Sequence, residues 1–451
     1  MGIFKSYDIR GVYGKEWDKG TAYSIGIALA RYLKAREIAV GRDARLSSVE
    51  IFGALAAGIT DAGCSVADIG LCDTPAVYFA TAFYGLDGGV MITASHNPAE
   101  YNGLKVSARA SVPVGYGSGL EILEKMAAEK QDRADGPRGE IRSLDIRKDY
   151  IAHLSKFGGR IRGVSAVIDC SNGTAAVFLK DLLAGLEGSY TLMFDEPDGR
   201  FPNHPPNPLV EENLAALKLR VREQKAGLGI CFDGDADRVM FVDETGGFVS
   251  PDLLIGLIGD YYLLHDPNAA SRKGSVVSYD VRSSRAVVEY LESLGARPRM
   301  CKVGHSHAKK LLRDTGGLFG GELAGHYYFR ENFFCDSGMI AALMVLSVLS
   351  LEAMPMSKLI ARIRKYFFSG ELNFEVSNGR KIVEKIRGEY PDGKLNELDG
   401  IRVDFPSWWF NLRTSNTEPL LRLVLEASSV EELEKRKKEL VEKIGRYSAG
   451  L

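Results

Sequence analysis

The chain has 451 residues, which at roughly 150 residues per domain points to about three domains, and its 57 Lys+Arg against 59 Asp+Glu leave a formal net charge of -2. With 45% hydrophobic and 26% charged residues it has the composition of an ordinary globular protein, which disfavours intrinsic disorder, a collagen-like repeat and a nucleic-acid-coating role. Glycine is in excess, 49 residues against an average of about 7%, so many positions are expected to need open backbone angles or close backbone approach.

The six cysteines, Cys64, Cys72, Cys170, Cys231, Cys301 and Cys335, are scattered with no C-x-x-C pair, so reduced, buried thiols are expected rather than a zinc knuckle or a disulfide framework. MGIFKSYDIRG contains no apolar run of signal-peptide length, and the longest apolar stretch, Met339 to Leu351, is shorter than the roughly 20 residues that cross a bilayer. A cytoplasmic protein with no membrane partner is therefore expected.

In chain order, apolar residues recur at helical spacing from Thr21 to Lys34, and EIAVGRD follows as a short strand. A helix from Ser47 to Ala62, the strand CSVADIGL, a helix from Pro75 to Tyr84 and the strand GGVMITA come next. After a polar stretch from Gln131 to Arg147 the rhythm returns with VSAVIDC, a helix from Ala175 to Leu186, TLMFD, a helix from Glu212 to Lys225 and GLGICFDGD. It returns again with GSVVSYDV, RPRMCKV and GLFGGEL between helices. Such alternation predicts sheets of parallel or mixed strands with helices on both faces, in three tandem units of similar topology. The last stretch differs: ELNFEV, a helix near Lys381 to Glu389, IRVDF, WWFNLRTS, LLRLVLEA and a charged helix from Val430 to Tyr447 suit a smaller α+β unit with an antiparallel sheet. The expected domains are 1–145, 146–249, 250–364 and 365–451, around a central cleft. In open αβ sheets ligands bind beyond the carboxyl ends of strands, where four unusual loops lie.

The first loop, TASHNPAEYNGLK, places Ser95, His96 and Lys105 in one polar segment. A serine beside a histidine suits a nucleophile or phosphoryl carrier, while Asn-Pro and Asn-Gly also suit a plain turn. The segment is not a G-x-S-x-G elbow, so a hydrolase triad is unsupported. The second, DGDADR, clusters Asp233, Asp235 and Asp237. Carboxylates about 4 Å apart repel by roughly 4 kcal/mol per pair at an effective dielectric of 20, so the cluster calls for a hard cation. A helix-loop-helix calcium site would find a ligand in Glu244, but Arg238 stands where that site needs glycine and the strand-like VMFVD follows, so Mg²⁺ is favoured over Ca²⁺. The third, GGELAGH, offers Glu322 and His326 among glycines, suited to sugar hydroxyls or simply to a bulged strand end. The fourth, RTSNTEP, holds Arg413, Ser415, Asn416 and Thr417, an arginine fork with short donors that suits phosphate.

In this order and at these separations the four loops resemble the α-D-phosphohexomutase family. The resemblance runs from FKSYDIRG through HYYFRENFFCDSGM to FNLRTSNTEP, and within the family these blocks are most similar to phosphomannomutases and dual phosphomannomutase/phosphoglucomutases. It implies an intramolecular phosphotransferase that interconverts hexose 1-phosphate and hexose 6-phosphate, of mannose or glucose, through a phosphoserine and a hexose 1,6-bisphosphate that also serves as primer. Ser95 would be the phosphoserine and, with Asp233, Asp235 and Asp237, a ligand of one Mg²⁺. Glu322 would bind sugar hydroxyls, and Arg413, Ser415, Asn416 and Thr417 the phosphate that does not react. Arg10, His96, Lys105, Arg238, Lys302 and His326 match positions around the transferring phosphoryl group or the sugar, with Lys105 and His326 the leading candidates for general acid and base. Ala324 stands where the family usually has serine, leaving a backbone contact at most. His153, His204 and His265 read as structural or surface residues, and His305 and His307 are assigned no metal. The alternatives are a phosphoglucosamine mutase, a sugar-phosphate phosphatase and a non-catalytic sugar-phosphate sensor. Monomer and homo-oligomer both remain open.

Overall fold

In the computed structural model, which describes residues 2–129, 133–158, 161–415 and 420–449, strands and helices alternate as expected and build four sheets. The first runs Ile9–Val12, Tyr101–Ala108, Gly88–Ile92, Glu37–Arg42, Ser65–Leu71, Ile141–Ser143, with Val112–Pro113 paired to Tyr101–Ala108. Its last four strands are mutually parallel, and Tyr101–Ala108 runs antiparallel to both its neighbours. The second sheet is ordered Phe248–Val249, Val239–Asp243, Leu228–Phe232, Arg162–Asp169, Glu187–Met193, and the third Arg297–Cys301, Val276–Asp280, Phe319–Gly321, Tyr327–Phe329, Cys335–Asp336. Both join parallel strands to an antiparallel return. The fourth is antiparallel throughout, and the helices Gly379–Gly388 and Val430–Ala449 give Ile382, Ile386, Leu433, Leu440 and Ile444 to its core.

Two expectations need correction. The polar stretch after Gln131 contains Ile141–Ser143, an exposed three-residue edge strand whose short polar sequence carries no periodic signal. The segment read as one long serine loop ends early, because Tyr101–Ala108 is a strand held on both sides. Lys105 therefore stands on a strand, opposite Met91.

Local chemistry explains where elements begin. Asp73 caps Thr74–Phe83 by accepting from the Ala76 amide at 2.7 Å, and Ser337 caps Gly338–Glu352 through the Ile340 amide. Gly338–Glu352 is the long apolar stretch of the sequence. It is buried along nearly its whole length and, although it follows the third sheet in sequence, its Met339, Leu343 and Leu346 face Ile168, Ile230 and Phe232 of the second. Among the described residues no single helix is long and apolar enough to cross a membrane. All six cysteines are buried and free, as expected.

Apolar contacts group the chain unevenly. One core runs from Cys72, Phe79 and Met91 of the first unit through the second and third units to Ile363, a second fills the other face of the first sheet, and the fourth unit has its own.

Candidate active site

The serine loop leaves the fully buried strand Gly88–Ile92 and turns back at Tyr101. Ser95 sits at its tip with a left-handed φ of 51° and is 2% exposed. Its amide donates to Thr93 Oγ1 at 2.8 Å, its Oγ donates to Asp233 Oδ2 at 2.8 Å, and Arg238 Nη2 lies 3.3 Å from that Oγ. Arg10, on Ile9–Val12, donates to Asn97 Oδ1 at 2.6 Å and pairs with Asp8, which brings the first strand to the serine loop. Gly103 makes this possible, since a Cβ there would stand 2.1 Å from the Ile9 carbonyl.

Asp233, Asp235 and Asp237 lie in the turn between Leu228–Phe232 and Val239–Asp243. All three are buried, and one oxygen of each falls within 4.8 Å of the others. Asp235 Oδ2 accepts from Thr74 Oγ1 at 2.5 Å and Lys105 Nζ at 2.6 Å, and Lys105 Nζ also pairs with Asp237. The other oxygens, Asp235 Oδ1 and Asp237 Oδ1, are buried with no hydrogen-bond partner among the described residues. Burial, and then the charges of Asp235 and Asp237, push the Asp233 carboxyl up against Arg238 and Lys105. Orphaned carboxylate oxygens beside a carboxyl pushed up by its neighbours fit a hard cation. Gly234 lets this turn close on the serine loop, for a Cβ there would stand 2.6 Å from the Ser95 carbonyl.

The glutamate loop is tied to the acidic turn by a β-bridge between Arg238 and His326 and by the Val239 amide, which donates to the Gly325 carbonyl at 3.2 Å. His326 Nδ1 lies 2.8 Å from Asp336 Oδ2 and 3.8 Å from Asp237 Oδ1. Burial alone would lower its pKa, but Asp237 and Asp336 raise it. His96, beside Arg238 and 3.5 Å from Ser95 Oγ, goes the other way: burial and then Arg238, Arg10 and Lys105 hold it well below the usual histidine value. The two histidines flanking Arg238 are therefore shifted in opposite directions, His326 toward holding a proton and His96 toward losing one. Glu322 is 1% exposed, and its carboxylate accepts from Tyr328 OH at 2.6 Å and from the Gly304 amide at 3.2 Å. Ala324 is half-buried beside it, and Lys302 is exposed.

Arg413 lies on the strand Trp408–Thr414, within the segment WWFNLRTS read as a strand, and Ser415 follows it with its amide donating to the Leu420 carbonyl at 2.7 Å. Asn416 and Thr417 lie outside the described residues. Arg413 meets Glu371 at 3.2 Å, as do Arg422 and Arg282, and Arg282 stands 3.8 Å from Glu322.

Family models described as phosphoglucomutase/phosphomannomutase alpha/beta/alpha domains I, II and III and C-terminal domain match residues 1–133, 148–247, 250–366 and 371–443. The chain belongs to the phosphoglucomutase/phosphomannomutase family. Like its relatives in that family it is a mutase. It is 37% identical to a phosphomannomutase of Escherichia coli over 437 residues, 94% of each chain. It is 37% identical to a phosphomannomutase/phosphoglucomutase of Pseudomonas aeruginosa over 445 residues, 96% of this chain and 94% of that one. The crystal structure of a phosphoglucomutase/phosphomannomutase family protein from Burkholderia thailandensis superposes with a TM-score of 0.88 at 32% identity, covering 98% and 97% of the two chains.

Within this phosphoglucomutase/phosphomannomutase frame, the structure brings Arg10, Ser95, His96, Lys105, the three aspartates, Arg238 and His326 into one contact network. Glu322 and Arg413 join it through Arg282 and Glu371. Sequence reading missed several participants: Thr74 on Asp235, Asp336 on His326, Lys309 on Asp336 at 2.7 Å, and the Arg282–Glu371 pair. Each comes from a segment with no unusual local composition. Only Asp280-Val-Arg282, a charged pair at the end of an apolar strand, carried a local hint, because charges there face the ligand side of an open sheet.

Proposed function

We propose that the chain interconverts the 1-phosphate and 6-phosphate of mannose and glucose, with Ser95 as the phosphoryl carrier and a hexose 1,6-bisphosphate as intermediate and primer. The observation that carries this reading is Ser95 Oγ held 2.8 Å from Asp233 Oδ2, with Lys105 and Arg238 against the same three aspartates. Phosphoryl transfer needs positioning and charge stabilisation more than covalent chemistry, and this is a cationic frame around one hydroxyl. The names of the relatives at 37% identity support the choice of sugars.

Asp233, Asp235 and Asp237, with the Ser95 phosphate, are the ligand set for Mg²⁺, which supplies neutralising charge beside the transferring group. Arg10, His96, Lys105 and Arg238 surround that group. The sugar hydroxyl takes the phosphoryl group as the bond from Ser95 Oγ to phosphorus breaks, and its proton passes to a base; Lys105 and His326 are the residues assigned to acid and base work. The bisphosphate then turns end over end and returns its other phosphate to Ser95. Glu322 binds sugar hydroxyls in both orientations. Lys302, the Ala324 backbone, Arg413, Ser415, Asn416 and Thr417 hold the substrate and its idle phosphate. Domain boundaries at 145/146, 249/250 and 364/365 belong to this reading and are supported by the sheets, whose outermost strands in sequence end at Ser143 and Val249 and resume at Phe367. The enzyme is read as cytoplasmic.

The test is a side-by-side rate measurement on mannose 1-phosphate, glucose 1-phosphate and glucosamine 1-phosphate, with a trace of hexose 1,6-bisphosphate and intact-mass analysis of Ser95. Isomerisation of the mannose and glucose esters, one phosphate on Ser95 and its loss in Ser95→Ala together with turnover are expected. Dominant turnover of the glucosamine ester would overturn the sugar assignment. Free phosphate accumulating faster than isomerised sugar would make the protein a phosphatase. Binding without isomerisation, unaltered in Ser95→Ala, would make it a sensor.

A further inference from the structure

We propose that Arg45 is a positioning residue for Ser95, holding the serine loop by its backbone carbonyls; the inference rests on the reading of Ser95 as the phosphoryl carrier. Arg45 lies beyond the strand Glu37–Arg42, fifty residues before Ser95, and at 1% exposure is among the largest fully buried side chains. Its Nη1 donates to the Pro98 carbonyl at 2.5 Å and to that of Tyr101 at 3.0 Å. Its Nη2 donates to the Ser95 carbonyl at 2.9 Å and to that of Asn97 at 2.7 Å. The fifth N–H, on Nε, meets Asp43 Oδ2 at 3.1 Å, and Asp43 is itself fixed by Ser48 Oγ and the Arg45 amide. All five guanidinium donors are thus engaged, four of them by one loop of seven residues.

The second unit seals this arrangement. The Phe201 ring lies 5.0 Å from the guanidinium carbon, and Gly199 packs so closely that a Cβ would stand 2.3 Å from the Ala44 carbonyl. Ser95 is consequently held from two sides. Its Oγ faces Asp233 and Arg238, while its carbonyl and the next turn of backbone face Arg45. Arg45 touches no atom of the reacting hydroxyl, so it acts only through the path of the loop. A planar fork with five directed donors fits four diverging carbonyls, whereas a lysine ammonium presents three donors from one point. Misplacement of a reacting atom by about 1 Å costs on the order of 10²-fold in rate.

The experiment compares wild type, Arg45→Lys and Arg45→Ala on mannose 1-phosphate with bisphosphate primer, with kcat expressed per phosphorylated Ser95 from intact mass. For Arg45→Lys a fall in kcat of about 10²-fold is expected, with KM changed by no more than about threefold, because the substrate contacts are elsewhere. Arg45→Ala is expected to regain kcat in guanidinium chloride but not in sodium chloride at equal ionic strength. A purely structural role would lower the melting temperature and the active fraction without changing kcat per phosphoserine. Wild-type kcat in Arg45→Lys, or KM rising in step with the fall in kcat, would overturn the inference, as would a folded Arg45→Ala that guanidinium does not rescue. Should Arg45→Ala not fold, Arg45→Lys alone decides. A wild type that neither isomerises hexose phosphate nor carries phosphate on Ser95 overturns the reading of Ser95 and this inference with it; a competent wild type with an indifferent Arg45→Lys overturns only the role of Arg45.

Discussion

The first three units and the fourth are joined by different chemistry. Between the second and third units the apolar core is continuous, helix Gly338–Glu352 covers a sheet other than its own, and the Arg238–His326 bridge adds backbone pairing. The fourth unit has its own core and meets the third mainly through buried charge. Arg402 donates to the carbonyls of Val281 at 2.7 Å and Ser283 at 3.2 Å beneath the Trp409 ring, the Arg285 amide donates to Glu426 Oε1 at 3.0 Å, and Arg282 pairs with Glu371. Among the described residues, Leu323, Trp409 and Val424, with Phe368, form a small apolar cluster across that boundary. Apolar contact is cumulative and weakly directional, so the acidic turn, the serine loop and the glutamate loop are held as one body. The polar seam is directional and made of a few groups, so the Arg413 strand is set against that body by discrete pairs.

The sharpest way to test this contrast is within the shared core. Leu346, 1% exposed, is expected on replacement by alanine to destabilise the chain by about 2–5 kcal/mol, read as one lowered main transition in thermal unfolding. A smaller and local effect is expected at the seam. Arg402→Met keeps the apolar stem but leaves two buried carbonyls unpaired, at about 1–3 kcal/mol, and faster hydrogen exchange should be confined to the fourth unit with the main transition little changed. A main transition that falls as far as in Leu346→Ala would break the distinction. The smallest effect concerns pH. All seven histidines lie in the first three units. Burial, and then Lys156, hold His153 below its usual pKa against the Asn332 hydrogen bond. The unfolded chain therefore binds the extra proton first, and the stability that neutral His153 contributes is present above the ordinary histidine value near 6.5 and is lost as pH falls below it. The melting temperature of wild type relative to His153→Gln should drop by about 1–2 °C at most between pH 7 and pH 5.5, and an unchanged difference would remove His153 as the cause.

The four-sheet organisation was legible in the sequence because alternating apolar runs and turn signals are local. Asp233, Asp235 and Asp237 were legible for the same reason, since three carboxylates in five residues are conspicuous without any fold. Lys105 was read in a loop because Asn102 and Gly103 mimic a turn, yet Gly103 is there to let Ile9–Val12 lie against its strand. Arg45, Thr74, Arg282, Asp336 and Glu371 were not legible as site residues. Thr74, Arg282 and Glu371 find partners in another unit, Arg45 and Asp336 at separate positions of their own units, and apart from the Asp280–Arg282 pair nothing in their neighbourhoods announces the convergence.

The left-handed backbone of Ser95 limits which hydroxyl can stand at that position. A β-branched side chain is strongly disfavoured at a φ of 51°, where its second γ-substituent crowds the main chain, and threonine differs from serine by that methyl group alone. With the carbonyls of the loop gripped by Arg45 and its tip pressed against Gly234, the backbone has little room to relax toward negative φ. Serine and threonine are therefore not equivalents in this loop, and a threonine at this position would need the turn rebuilt before its hydroxyl could stand where that of Ser95 does.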